Sequence, residues 1–215
     1  MSEPEPWTRI YNRVKATIPA ATDAVIRQEI FAVMIDFTSD TNIWVEEFPF
    51  VTDPNTVDYV MPVIQGVANR LVLVYDAATE EPYNWADNYI TMRIPGTIHL
   101  TRSPTEAKNW VARIAKSCNT DKMDAGTPPK PTGYPEVDDW IVNQNNDAIY
   151  YGTLWYLQRQ PAKPYRDPTA ARENQLMYGS AKSQVRVNNM RQNVFGGQAW
   201  QYPQSFATIS RKGWS

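Results

Sequence analysis

The sequence predicts an α+β fold: an antiparallel helical bundle, a small antiparallel β subdomain inserted in it, and an extended C-terminal arm. Three observations predict it. Apolar residues recur every three or four positions in the first 42 residues and again beyond 135. Between 43 and 118 they occur instead in short runs and alternations broken by turn residues. Beyond Gly196-Gly197 no period remains. The expected divisions are N-terminal helices over 1–42, a β subdomain over 43–118, a loop over 119–134, a helical hairpin over 135–194 and an arm over 195–215.

The first helix is predicted over 6–18. Trp7, Ile10, Tyr11, Val14 and Ile18 share one face, Pro6 suits a first turn, and Pro19 ends it. The second runs from Thr22 to about Asn42, with Thr22 or Asp23 as its cap. Ile26, Ile30, Val33, Met34 and Phe37 form its buried stripe, and Arg27 and Glu29 face outward.

Strand composition begins at Ile43-Trp44-Val45 and continues through Phe48–Val51. Asp53-Pro54-Asn55 is a turn, after which Val57–Val60 should return antiparallel. Leu71 to Tyr75 is continuously apolar, as in a strand buried on both faces or at an interface. Ile90, Met92 and Ile94 alternate up to a Pro95-Gly96 turn, and Ile98 and Leu100 resume the apolar face. Trp110 to Ala115 reads as a last strand. The run from 119 to 134, with three prolines in 128–131, is a loop by composition.

Pro135 and the acids at 136, 138 and 139 start another helix, since acids in a first turn interact favourably with the helix dipole. Trp140, Ile141, Ala148, Tyr151 and Leu154 or Trp155 recur along it until Pro161. Pro161, Pro164 and Pro168 restrict the following corner. Asp167 is placed to cap a last helix that runs to about Asn193, with Leu176, Ser180, Val187 and Met190 on one side.

The 215 residues suit one domain with an inserted subdomain. Eight Trp and twelve Tyr favour an assembled protein, because aromatics concentrate in cores and interfaces. The net charge of −2 hides an asymmetry. No acid lies beyond Glu173, so 174–215 carries +5 and the preceding body −7. A basic end on an acidic body points to nucleic acid, membrane or an acidic partner. The interleaved aromatics favour a protein. No apolar run approaches the ~18 residues of a spanning helix, so no membrane partner is expected. Lone Cys118 cannot form an intrachain disulfide, and Met1–Trp7 lacks the regions of a signal peptide. Folding in a reducing cytoplasm is the expectation.

The sequence offers no catalytic set, metal site or cofactor motif. One His and one Cys cannot converge as metal ligands without a carboxylate pair beside them. His99, between Ile98 and Leu100, reads as a structural histidine, and Cys118 as a passive small residue. Glu46-Glu47, Glu80-Glu81 and Asp138-Asp139 are sequence neighbours whose side chains diverge, so they do not form acid–base pairs.

The stretch around the corner resembles something specific. Gln160-Pro161-Ala162-Lys163-Pro164-Tyr165-Arg166-Asp167-Pro168 joins two helices, and the second bears Ala170-Ala171 and Tyr178. Near the front stand Ile18-Pro19, Asp23, Ile26, Arg27 and Ile30, then Phe37 and Trp44. In this order, with strands between the helical halves, about 18–180 resembles the head-to-tail adaptor (connector) proteins of tailed bacteriophages. That family commonly carries Trp where this chain has Tyr165.

The resemblance implies a non-enzymatic virion protein of the neck, assembled in the host cytoplasm. It implies a homo-oligomeric ring, typically of twelve copies, below the portal protein. The ring would extend the DNA channel and dock a downstream tail or nozzle protein. Genomic DNA would pass through without specific binding, which suits a net acidic body. Pro161, Pro164, Tyr165, Asp167 and Pro168 form the structural corner. The arm lies outside the resemblance. Phe195, Trp200, Tyr202, Phe206, Arg211, Lys212 and Trp214 are the candidate portal-binding residues, as aromatic anchors with basic partners. Packing of the arm on a neighbouring subunit is the rival role. The alternative function is a nucleic-acid-binding module that uses Arg186, Arg191, Arg211 and Lys212, with Trp200 and Trp214 as stacking platforms.

Overall fold

Among the described residues, five helices and two three-stranded antiparallel sheets make an α+β architecture. The computed structural model describes residues 6–62, 66–83, 90–118 and 137–192, with backbone alone at 93 and 190–192. The expected loop over 119–134 and arm over 195–215 lie outside these residues.

Helix α1 spans Pro6–Thr17 and buries Trp7, Ile10 and Val14 on one face. Helix α2 spans Asp23–Thr41, and its stripe of Ile26, Ile30, Val33, Met34 and Phe37 is fully buried. Each such side chain contributes about 1.5–3 kcal/mol relative to exposure. Neither Thr22 nor Asp23 caps α2 as expected. Thr22 makes no side-chain cap bond, and Asp23 instead accepts from Lys15 at 2.9 Å. Lys15 also donates to the Ala21 carbonyl, which ties the turn between the helices. At its other end α2 stops at Asn42, whose left-handed φ of 50° turns the chain away. Asn is among the few residues that adopt this conformation readily.

Strand β1 (Val45–Val51) pairs with β6 (Asn109–Ser117), and β6 also pairs with β3 (Val67–Asp76). In the second sheet, β5 (Thr97–Leu100) lies between β2 (Asp58–Val60) and β4 (Ile90–Ile94). The return of Val57–Val60 against the first strand is therefore corrected. Charge and burial favour β6 as the partner of β1. Glu47 stands opposite Arg113 and bonds to it, while Glu46 reaches Lys116 on the other face. Thr52 then ties the end of β1 to the Lys108 carbonyl, and Asp53 accepts from Asn55 to turn the chain out of this sheet.

The apolar run Leu71–Tyr75 is not covered on both faces. It lies in β3, at an edge of its sheet, and two irregularities in pairing twist it. Only Val74 is fully buried, because only one side of the edge strand meets the core. Gly96 has the positive φ, 80°, that the Pro95-Gly96 turn requires.

Two apolar clusters result among the described residues. Phe48, Val74, Ile98, Leu100, Ala112 and Ile114 belong to the one between the strands. The other lies among the helices, and Trp44 and Cys118 reach it from the strand ends. At this junction Gly66 has no room for a side chain. A Cβ there would lie 2.6 Å from the Ser117 carbonyl oxygen and 2.7 Å from the Trp44 ring.

The single helix expected from 135 to 160 is two. Helix α3 covers Asp139–Gln144 and α4 covers Asn146–Gln158. The break falls at Asn145, whose φ of −115° leaves the helical range. Its backbone N–H at 3.1 Å and its side-chain amide at 2.8 Å both donate to the Ile141 carbonyl. Trp140 is 44% exposed, whereas Ile141, Val142, Ile149 and Leu157 are buried. Where α4 crosses α2 and the following helix, Gly152 permits the approach. A Cβ on Gly152 would lie 2.7 Å from Val33 and 3.0 Å from Tyr178.

Helix α5 covers Pro168–Gln192. The face expected from Leu176, Ser180 and Val187 is turned outward, a correction to the periodicity reading. Met190 is among the positions given by backbone alone. Buried instead are Ala171 and Tyr178, with Ala181 and Val185 packed beside them. Polar contacts between α5 and α2 accompany this orientation.

Candidate assembly surface

The proline corner is built on its own hydrogen bonds. After α4 ends, the Arg159 N–H donates to the Trp155 carbonyl and the Gln160 N–H to the Leu157 carbonyl. Ala162 then takes a left-handed φ of 57°. The Arg166 N–H donates to the Lys163 carbonyl, and the Asp167 N–H donates back to the Gln158 carbonyl at 3.1 Å. The corner thus closes onto the last residue of α4. Asp167 Oδ1 accepts the N–H groups of Thr169 at 3.1 Å and Ala170 at 3.0 Å, satisfying donors that a helix start leaves open. Pro161, Pro164 and Pro168 are exposed around this frame and supply fixed φ angles rather than contacts.

One side chain anchors the corner to α2. Tyr165 donates to Gln160 Oε1 at 2.9 Å, and Gln160 Nε2 donates to Glu29 Oε1 at 2.7 Å. Glu29, expected to face outward, is therefore partly covered. Its burial raises its carboxyl above the ordinary 4.5, against the opposing effects of Arg159 and the Gln160 bond. Asn174 on α5 donates to the Gln158 side chain at 2.8 Å, which braces the corner from its other limb.

The inner face of α5 meets a row of acids on α2. Tyr178 donates to Asp36 at 2.7 Å, and Lys182 reaches both Asp36 and Asp40 at 2.9 Å. Arg186 pairs with Asp40. Asn189 donates to the carbonyls of Thr41 and Asn42 at the end of α2. Hydrogen bonding from Lys182 holds Asp40 below its ordinary 3.8. Burial, reinforced by the bond to Asp36, pushes the Tyr178 phenol far up.

The outer face of α5 has a different chemistry. Between Asn174 and Asn189 the charged residues are Lys182 and Arg186, and both are engaged by α2. Leu176, Met177 and Val187 are 67%, 52% and 45% exposed. Surface helices ordinarily carry charges on that side. A cleft of about 480 Å³ opens beside the same helix, with Ile43, Trp140, Ala181 and Val185 among its lining and several carboxamides around them.

Among the described residues, no group of three His, Cys, Asp or Glu side chains is arranged to hold a metal ion. His99 Nδ1 lies 2.7 Å from Asp58 Oδ1, its register partner across the strands. Cys118 is buried, its N–H donates to Thr38, and burial pushes its thiol up to about 12. Such a thiol is a poor nucleophile. No helix of the described residues is long and apolar enough to cross a membrane.

Phe195, Trp200, Tyr202, Phe206, Arg211, Lys212 and Trp214 lie outside the described residues. So does Arg191 as a side chain. The structure assembles Pro161, Pro164, Tyr165, Asp167 and Pro168 into one corner, with Gln160, Gln158 and Glu29 as supports that sequence reasoning missed. It also missed the cleft beside Trp140. The lack of outward charge over 174–189 was the available signal for that side of α5. Compared with protein-family models and with curated proteins, the chain matches none.

Proposed function

We propose that this protein is a structural virion component, a head-to-tail adaptor of a tailed bacteriophage. Copies form a ring below the portal protein, twelve in the family the sequence resembles. The ring extends the DNA exit channel and offers a surface to the next tail or nozzle protein. The helices act as an antiparallel bundle, and the residues beyond Phe195 act as an extended arm that orders on docking.

The observation that carries this reading is the corner. Its bonds hold α4 and α5 at a fixed angle, Gln160 ties them to α2 through Glu29, and α5 leads directly into the arm. A frame whose angles are already restricted loses little entropy on assembly. Burial pushes the Cys118 thiol up to about 12, which makes it a poor nucleophile.

The alternative, a nucleic-acid-binding module, draws part of its charge from Arg186. That guanidinium is engaged by Asp40. Binding through the remaining cations would show a steep salt dependence, and a flat response in ~100 mM salt would remove this alternative.

The test is the mass and symmetry of the particle, alone and on purified portal rings. A closed ring on the portal supports the reading, and a strict monomer under both conditions overturns it. Deleting 196–215 then separates the two roles of the arm. Retained rings with lost portal capture assign the arm to docking. Dissociated rings with unchanged portal affinity per subunit assign it to the neighbouring copy.

A further inference from the structure

We propose that the cleft between the end of α4, the proline corner and the start of α5 is a docking site for a glutamate-rich segment of a partner protein. The inference goes beyond the ring reading and does not need it, because the site is complete on one copy.

Three guanidinium groups line this cleft. Arg159 closes α4, Arg166 stands in the corner and Arg172 in the first turns of α5. All three residues are exposed. The cleft holds about 360 Å³, and no carboxylate lines it. Among the described residues, none of the three arginines forms an ion pair. The nearby acids are engaged elsewhere. Asp167 accepts the N–H groups that open α5, and Glu29 accepts from Gln160. Glu173 follows Arg172 directly, and successive helix residues do not share a face. Three like charges therefore share one concave site without an anion. That arrangement opposes folding, and a bound anion relieves it.

The donors are ordered before any ligand arrives. The bond from the Asp167 N–H to the Gln158 carbonyl fixes the corner that carries Arg166. The Arg159 guanidinium lies 4.1 Å from the Tyr156 ring centroid and 5.0 Å from that of Trp155. Stacking of this kind restricts the guanidinium and leaves its N–H edge available. A guanidinium fork matches a carboxylate through two parallel bonds. A donor that is already ordered loses less entropy on binding.

The walls select the anion. Trp155, Pro168 and Ala171 set apolar surface beside the cations. That combination suits a side chain with methylenes below its charge. A nucleotide instead needs an open aromatic face for its base. Trp155 is already engaged by Arg159, by Tyr156 at 4.9 Å and 83°, and by Tyr178 at 6.0 Å. Residues 1–173 carry a net −7, which repels a duplex more strongly than a short acidic segment.

The test uses the full chain and a fluorescently labelled hexaglutamate peptide, with binding read by anisotropy at low salt. Wild type should bind the peptide, and added salt should weaken binding. Arg166→Gln and Arg172→Gln should each weaken it about tenfold, the loss expected for one charge-assisted hydrogen bond. Lys163 is exposed on the same corner but does not line the cleft, so Lys163→Gln should bind like wild type. Without peptide, both arginine variants should melt at or above wild type, since each relieves repulsion between like charges. Saturating peptide should raise the melting temperature of wild type. A peptide that wild type does not bind overturns the proposal. Equal losses in the lysine and arginine variants overturn it, because binding then follows surface charge and not the cleft. Arginine variants that melt well below wild type show that the guanidiniums serve the fold, which overturns the assignment too. Tighter binding of a labelled DNA duplex or of inorganic phosphate, abolished in the arginine variants, gives the site to a phosphate instead. A strict monomer that binds the peptide through these arginines overturns the ring and keeps the site.

Discussion

The hydroxyl of Tyr178 on α5 donates to the carboxylate of Asp36 on α2 at 2.7 Å, from a side chain only 1% exposed. The ring of Tyr178 fills the helical core while its oxygen reaches the row of acids. Tyr178→Phe should keep the packing and lose the bond. A hydrogen bond to a charged group is worth about 1.5–3 kcal/mol, and Lys182 still serves Asp36, so a loss of about 1.5 kcal/mol is expected. The urea midpoint should fall at constant slope. An unchanged midpoint would show that the hydroxyl does not hold α5 in place.

Two glycines should respond in opposite directions to alanine. Gly152→Ala puts a methyl 2.7 Å from Val33 and 3.0 Å from Tyr178, and both neighbours are core side chains. The cost expected from overpacking is about 1–3 kcal/mol. Gly179→Ala meets no atom within the chain and improves helix propensity, so it should stabilise the isolated molecule by roughly 0.5–1 kcal/mol. Thermal unfolding of the two variants compares them directly.

Two carboxylates should give pH dependences of opposite sign. Asp40 is held below 3.8, first by the hydrogen bond from Lys182 and then by attraction to Lys182 and Arg186. The native state therefore binds fewer protons there than the unfolded chain. Its contribution is present above 3.8 and is lost as pH falls through the lowered value. The side chain is 37% exposed, so the contribution is under about 1 kcal/mol. Glu29 is raised above 4.5 by burial, so the native state binds more protons and stability falls as pH rises through that range. Asp40→Asn should flatten the acid limb of the stability curve. Glu29→Gln should remove the penalty and raise stability at neutral pH relative to wild type. Urea titrations from pH 3 to 7 would contradict both assignments if the two variants tracked wild type in parallel.

Cys118 should report on opening of the helical core. Burial pushes its thiol to about 12, and the side chain lies against Thr38 of α2. At pH 8 a thiol reagent should leave the native protein unmodified and label it fully in urea. Rapid labelling without denaturant would mean that the β6 end separates from α2 in the native state.

The outer sequence pattern was legible where burial followed one period. Trp7, Ile10 and Val14 on α1 and the stripe from Ile26 to Phe37 on α2 lie buried where the spacing put them. The Pro95-Gly96 turn and the Asp167 cap were also readable, because each depends on the chemistry of one or two residues. The strand partners were not. Glu47 and Arg113 stand 66 positions apart, and nothing local identifies their pairing. Asn145 was read through because a helical period continues across it, although its backbone leaves the helical range there.

Alone, the sequence determined most of the helical and strand segments, the proline corner and the division between an acidic body and a basic end, because backbone preferences, apolar spacing and charge are local properties. Only the tertiary structure decided which way α5 faces. By apolar count, Leu176, Ser180 and Val187 mark the side to bury. The fold turns that side outward: Tyr178, Ala181 and Val185 pack on the helical core, and Tyr178, Lys182 and Arg186 find Asp36 and Asp40 on α2. Ala171 and the Tyr178 ring fill the core from the opposite face while its polar groups meet α2, which leaves Leu176, Met177 and Val187 exposed.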